Sequence, residues 1–180
     1  MYRGDIGYVS GCNSIAALLL LNLPDATQTF ISLSNLLNRP IPLSFHASDR
    51  GAKASAYNLV LRNLADEHPL LHAHLTSALL KDPEPGAYLG PVFASLFTSS
   101  LAVDEAARLW DVYVFEGDAV LIRAATALLL EEEGPIMAAK SSAEVREILT
   151  GAKDGRRGRA VAEVGAEDRW MEAVRAVGEG

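Results

Sequence analysis

Along almost the whole chain the apolar residues return at steps of three and four and nowhere alternate as a half-buried strand requires, so the scaffold must be built from helices. The residue supply agrees: Leu and Ala dominate and β-branched residues are sparse. With 49% hydrophobic and 22% charged residues, the 180-residue chain sits in the ordinary globular range and can bury a core. That length suits one domain with a short appendage. The expected fold is all-α, a compact multi-helix domain.

Breakers and capping residues divide this pattern. Ile15 to Leu21 is an apolar run broken by Asn22 and stopped by Pro24, far short of the roughly 20 residues that span a bilayer. It predicts a helix from Gly11 to Asn22, apolar on nearly every side and therefore expected at the centre of the fold. Asp25 is placed to cap a second helix, with Phe30, Leu33, Leu36 and Leu37 on one face and Pro40 and Pro42 ending it. Ser44 to Gly51 reads as a polar loop, followed by a helix with Ala54, Tyr57, Leu61 and Leu64 facing inward. Pro69 opens another helix carrying Leu71, Leu75 and Leu79.

Lys81 to Gly86, with two prolines and a glycine, is the clearest break in the chain. Beyond it Tyr88, Val92, Leu96 and Phe97 form one stripe, and Asp104 is placed to cap a helix bearing Trp110 and Val114 and ending at Gly117. Asp118 then caps a helix with Leu121, Ile122, Ala125, Leu128 and Leu129 on one side, and Glu131 to Glu133 run out to solvent before Gly134 and Pro135. Ser141 and Glu144 have capping-box spacing and start a helix through Leu149. Residues 151–159 are a basic, glycine-rich loop, and helical spacing resumes at Trp170, Met171 and Val174. The chain shows no internal repeat.

Charge and composition exclude several functions. Sixteen Lys and Arg against 23 Asp and Glu give a net charge of −7, which repels phosphate backbones and argues against a nucleic-acid partner. The single cysteine, Cys12, can form neither an internal disulfide nor a thiolate metal cluster, which points to a reducing, cytoplasmic compartment. No basic region leads into an apolar stretch at the N-terminus as a secretory leader requires, and Arg3-Gly4-Asp5 is read as a chance match to the integrin tripeptide. His68 and His72 share a helix face, but with only His74 nearby and no cysteine partners they do not make a metal set. The chain has no phosphate-binding glycine loop, no dinucleotide fingerprint and no nucleophile-elbow serine. No cofactor, no metal and no self-contained catalysis are expected. Lys153, Arg156, Arg157 and Arg159 read as solvated surface, with contact to acidic lipid or a partner as the alternative.

Two segments point to a family. Asp5-Ile6-Gly7-Tyr8-Val9-Ser10-Gly11-Cys12-Asn13-Ser14-Ile15-Ala16-Ala17, running into four leucines, resembles the glutamine-finger segment of TBC domains, the GTPase-activating domains for Rab-type GTPases. Downstream, Phe93-Ala94-Ser95-Leu96-Phe97, then Leu109-Trp110-Asp111 and Gly117, is similar to that family's Leu-Phe, Trp-Asp and Gly pattern in the same order. The resemblance extends from about Asp5 to Leu149. It implies a TBC-like domain over residues 1–150, truncated at the N-terminus, followed by the basic loop at 151–159 and a C-terminal helix within 160–180 packed on the same domain.

The resemblance also supplies a mechanism to compare against. TBC domains give the GTPase an arginine and a glutamine, and an arginine supplied in trans is worth on the order of 10³–10⁵ in rate. The glutamine of the family's Tyr-x-Gln segment falls here on Ser10, whose hydroxyl is shorter by two carbons and lacks the paired amide donor and acceptor. The family's arginine lies on an upstream Ile-x-x-Asp-x-x-Arg segment, and Met1 stands only seven residues before Tyr8; Arg3 lacks that context. Val92 stands where many members carry a tryptophan.

The implied reading is a regulator that binds a Rab-type GTPase through Tyr8, Ser10, Gly11 and Asn13 with little or no activating power. Trp110, Asp111 and Gly117 act structurally: the indole packs, and the carboxylate accepts hydrogen bonds from a helix end. Gly11 and Asn13 otherwise serve close packing and the helix start. The alternative is a TBC-fold scaffold acting through a coiled-coil or scaffold partner, similar to the TBC-fold third subunit of the tuberous sclerosis complex, or a fragment of an active domain. In the fragment case the apolar face of Ile15 to Leu21 is left uncovered and drives association, including with a second copy. Any attachment to membranes is peripheral, through a partner.

Overall fold

The computed structural model describes residues 7–77, 80–151 and 164–178. Among them are eleven helices and no strand: α1 Cys12–Asn22, α2 Ala26–Leu37, α3 Pro40–His46, α4 Arg50–Glu67, α5 Pro69–Thr76, α6 Pro85–Ala94, α7 Val103–Glu116, α8 Ala119–Glu131, α9 Glu133–Ala138, α10 Ser142–Leu149 and α11 Ala166–Ala176. The all-α expectation holds. Leu79, the basic side chains of residues 151–159 and the Arg3-Gly4-Asp5 tripeptide lie outside the described residues. No described helix is long and apolar enough to cross a membrane.

The core is organised on α8, which buries nine of its thirteen residues and packs against α4, α6, α7, α9 and α11. Beside it α6 buries Tyr88, Leu89, Val92 and Phe93 and lies against α3, α4 and α10. Gly86 and Gly90, one turn apart, let Tyr57 approach within 3.4 Å of where a Cβ would stand, by its ring at Gly86 and by its hydroxyl at Gly90. Phe45 stacks on Phe93 at a centroid distance of 5.0 Å and meets Tyr57 edge-on at 5.7 Å, tying α3, α4 and α6 together. At the far end α11 buries Trp170, Met171 and Val174 against α7 and α8.

Local chemistry explains most boundaries. The carboxylates of Asp25 and Asp49 accept from the amides of Gln28 and Ala52, and the Ser141 hydroxyl accepts from Glu144 N, each satisfying an orphan donor of a first turn. Gly117, at φ +77°, ends α7, whose last carbonyls a side chain could not have closed as readily in that left-handed turn.

The structure corrects several expectations. α1 is not central: it packs chiefly on α2, buries only Ile15 and Leu18, and leaves Leu20 54% and Leu21 72% exposed. Phe30 and Val114 are likewise mostly exposed, and on α4 the inward stripe is Ala56, Val60 and Leu64, with Ala54 outside it. Pro40 opens a helix instead of closing one, because a proline at the first helical position gives up only an amide that has no partner there. Ser44, Phe45 and His46 are therefore helical and buried, and no polar loop runs from Ser44 to Gly51. The same logic applies to Gly134 and Pro135, which fall in the first turn of α9, and Glu132 beside them is buried. Asp104 lies one turn-position inside α7, whose start is held by Glu105 accepting from Ala102 N at 2.9 Å. Asp118 occupies the cap position of α8 but spends its carboxylate on Tyr113 Oη–H and Ile41 N, both at 3.1 Å.

Candidate functional site

The segment matching the glutamine finger forms a tight turn before α1. Cys12 N donates to Val9 O, closing the turn, and the amides of Ser14 and Ile15 both donate to Gly11 O, starting the helix. Gly11 adopts φ +101°, and a Cβ built on it would lie 2.8 Å from Ser95 Cα, so glycine is required both by conformation and by the approach of α6. Tyr8 is 76% exposed and its hydroxyl donates to Asn13 Oδ1 at 3.0 Å, bracing the turn across its mouth. Asn13 thus braces Tyr8 and makes no cap; α1 has no side-chain cap. Ser10 is exposed at the apex.

The backbone that Gly11 touches is itself unusual. After α6 the chain turns through Ser95, Leu96 and Phe97, and the last two, both fully buried, hold left-handed φ values of +46° and +68°. Non-glycine residues keep such values only where the surroundings impose them. Two contacts do so. Trp110 Nε1 donates to Leu96 O at 2.9 Å, and Phe97 N donates to Val92 O at 2.9 Å. Ser95 Oγ, bonded to Ser99 Oγ at 2.7 Å, completes the turn. Trp110 on α7 therefore fixes a carbonyl of the turn against which the finger segment rests. The three segments singled out in the sequence meet in space at this turn, Gly11 against Ser95 and Trp110 on Leu96. Asp111 is exposed, and among the described residues no helix end donates a hydrogen bond to it.

Below the finger turn lies a cleft of about 590 Å³, opened between α1, α3, α4 and α6. Tyr8, Ser10 and Asn13 form one wall; Lys53, Tyr57, Ser95 and Thr150 form others. Lys53 Nζ sits 5.5 Å over the Phe45 ring. Burial, and secondarily the Glu84 carboxylate, push the Tyr57 phenol above its ordinary range. Burial raises the Cys12 thiol, which keeps it in the unreactive protonated form. His46 is buried behind the cleft; burial lowers its pKa, the Ala94 carbonyl opposes that shift, and Lys53 adds to it. Among the described residues no three His, Cys, Asp or Glu side chains converge as a metal site, and His74 Nε2 faces Ala139 O at 3.1 Å.

A second groove, of about 560 Å³, runs between α1, α2 and α7 and is lined by Leu18, Leu19, Leu23, Leu36, Trp110 and Val114. Arg39 lies at its edge, donating to Tyr113 O and Val114 O with its guanidinium 4.7 Å over the Tyr113 ring. Burial, reinforced by Asp118, raises the Tyr113 phenol.

Phe45 and His46 sit in a stretch whose polarity predicts a loop, and nothing in the spacing marks Lys53 or Thr150. The one available signal was Pro40, a residue that starts helices as readily as it stops them.

Comparison with known proteins places this arrangement. The Rab-GTPase-TBC domain family matches residues 1–137. TBC1 domain family member 14 of Homo sapiens is 38% identical over 128 residues, covering 71% of this chain and 18% of the relative. TBC1 domain family member 12 of Xenopus tropicalis is 36% identical over the same length, with the same coverage of each chain. A TBC domain-containing protein of Schizosaccharomyces pombe is 35% identical over 122 residues, 68% of this chain and 25% of the relative. The chain thus matches a quarter or less of the length of these curated relatives.

Proposed function

Since the chain belongs to the Rab-GTPase-TBC domain family, we propose that it binds a Rab-type GTPase through the turn carrying Tyr8, Ser10, Gly11 and Asn13 and contributes little or no acceleration of GTP hydrolysis. The observation that carries this reading is the contrast between a rigidly held finger turn and the side chain at its apex. Gly11, Ser95, Leu96 and Trp110 keep the turn in place, yet Ser10 presents a hydroxyl where the family supplies a carboxamide. Orienting a water for attack on a phosphoryl group needs an acceptor for the water proton and a donor toward the phosphate oxygens, held at fixed distance. A carboxamide has both at the end of a two-carbon stem; a serine hydroxyl on Cβ has neither that reach nor that pairing. The proposed domain continues past the family match to α11, since Trp170, Met171 and Val174 are buried on α7 and α8.

The test is a binding screen of the chain against a panel of Rab-type GTPases in GDP-bound and GTP-analogue forms. Binding to one or a few members that falls at least about tenfold in Tyr8→Ala and Asn13→Ala is expected, as for central interface residues. Binding unaffected by both substitutions would refute the assigned surface.

The scaffold reading has its own support. Leu21 on α1 is 72% exposed and Phe115 on α7 90% exposed, and both helices, with α2, border the second groove. Uncovered apolar surface of this kind marks a contact site, here for a coiled-coil segment or a second copy. Light scattering decides: a concentration-dependent dimer abolished by Leu21→Glu favours a second copy, and a monomer at all concentrations argues against one.

A further inference from the structure

The 180-residue chain carries an excess of acidic over basic residues, 23 against 16, so its surface field is negative. The cleft under the finger turn departs from that balance. Among the described residues none that lines it is acidic, and the one permanent charge there is the ammonium of Lys53, on the first turn of α4. Around that charge the walls offer the hydroxyls of Ser10 and Ser48 and the phenol of Tyr57, while Thr150 Oγ1 donates to Arg146 O and Ser99 Oγ pairs with Ser95 Oγ. Glu84, which approaches Tyr57, lies outside the lining. Among the described residues no carboxylate pairs with Lys53, whose ammonium lies over the face of Phe45 and disfavours the protonated form of His46. The aromatic face holds the ammonium at one place without neutralising it. A half-buried cation without a counter-ion, surrounded by neutral donors, leaves a carboxylate-shaped demand at the foot of the binding turn.

We propose that Lys53 is a specificity-determining residue for the docked partner, receiving the carboxylate of an acidic side chain that the GTPase inserts beneath Tyr8. This rests on the reading that a Rab-type GTPase docks on the Tyr8–Asn13 turn. Lys53 selects among partners: a GTPase with Asp or Glu at the inserted position gains a charge-assisted hydrogen bond, and one with Lys or Arg there meets a like charge in a confined space. The hydroxyls of Ser10, Ser48 and Tyr57 supply secondary donors to the same carboxylate, which makes the site directional as well as cationic. Because Lys53 projects from α4 and Ser10 from the finger turn, discrimination at the cleft is separable from whatever the finger position contributes to hydrolysis.

The experiment measures affinity and its salt dependence for a GTPase that binds the natural chain, using Lys53→Met, Lys53→Glu and Lys53→Arg. Lys53→Met keeps the stem over Phe45, and thermal melts establish that each variant folds. Lys53→Met is expected to weaken binding about tenfold and flatten its salt dependence, Lys53→Glu to weaken it about a hundredfold, and Lys53→Arg to stay within about threefold of the natural chain. Charge reversal of one acidic residue on the GTPase should restore binding to Lys53→Glu. Binding by Lys53→Glu within twofold of the natural chain, with unchanged salt dependence, would overturn the role of Lys53 and leave the docking reading standing. Loss of binding in Tyr8→Ala with no effect at Lys53 would do the same. Failure of every GTPase to bind the natural chain would overturn both. Binding of inorganic phosphate to the chain alone, lost in Lys53→Met, would overturn the assignment to a partner side chain.

Discussion

Helices α1 and α8 look alike as strings of residues, both apolar on nearly every side, yet they occupy opposite situations. α8 buries nine of thirteen residues and touches five other helices, whereas α1 buries Ile15 and Leu18 and turns Leu20 and Leu21 outward. The difference shows that all-round apolarity states that a helix is to be covered and leaves open by what. For α8 the cover is the rest of this chain. For α1 the described residues supply α2 on one side and the turn of α6 at its start, and Leu20 and Leu21 stay exposed.

The contrast breaks most easily in α8. Leu129→Ala, at a fully buried site, is expected to cost about 2–5 kcal/mol, while Leu21→Ala on α1 should fall within about 0.5 kcal/mol. Chemical denaturation measures both, and comparable losses would show that α1 is as covered as α8. Next in size is Gly11→Ala, which meets both the left-handed backbone and the contact with Ser95 Cα; a loss of about 1–3 kcal/mol is expected, together with weaker GTPase binding. A neutral result would mean that the finger turn is not pressed on α6 as described.

Trp110→Phe keeps much of the ring and removes the donor to Leu96 O, for a cost of about 1–2 kcal/mol and faster amide exchange at Leu96 and Phe97. Equal protection in the variant would detach Trp110 from the finger turn. The smallest effect is the pH dependence of His46. Its folded pKa lies below the ordinary 6.5, so between the two values the unfolded chain binds the extra proton and stability rises with pH. Stability should therefore fall on acidification from 6.5 downward in the natural chain, and His46→Gln should flatten that slope.

What could be read in the sequence follows from how local each determinant is. Caps at Asp25 and Ser141 and the stop at Gly117 depend on a few neighbouring residues, and they were legible. Pro40 and Pro135 open helices where their position predicts an end, because proline marks both ends of helices and only the following residues decide which. Asp118 has the composition of a cap, but Tyr113 and Ile41, distant or one helix away, outbid the local amides for its carboxylate. For the candidate site, the finger turn and the Trp-Asp segment were visible as patterns. Their junction through Leu96 O was not, since it depends on a left-handed turn at two non-glycine residues that no propensity favours. Lys53 was invisible for a simpler reason: one lysine on an exposed-looking first turn carries no pattern until a cleft forms around it.

The central claim is a held turn without the amide that would do the chemistry. Single-turnover GTP hydrolysis by the GTPase that binds the chain tests it most directly, with the natural chain in large excess. The account predicts a rate within about threefold of the intrinsic one, against the 10³–10⁵ that an arginine supplied in trans contributes on the order-of-magnitude scale of activated GTPases. Acceleration by a hundredfold or more with Ser10 in place would contradict it.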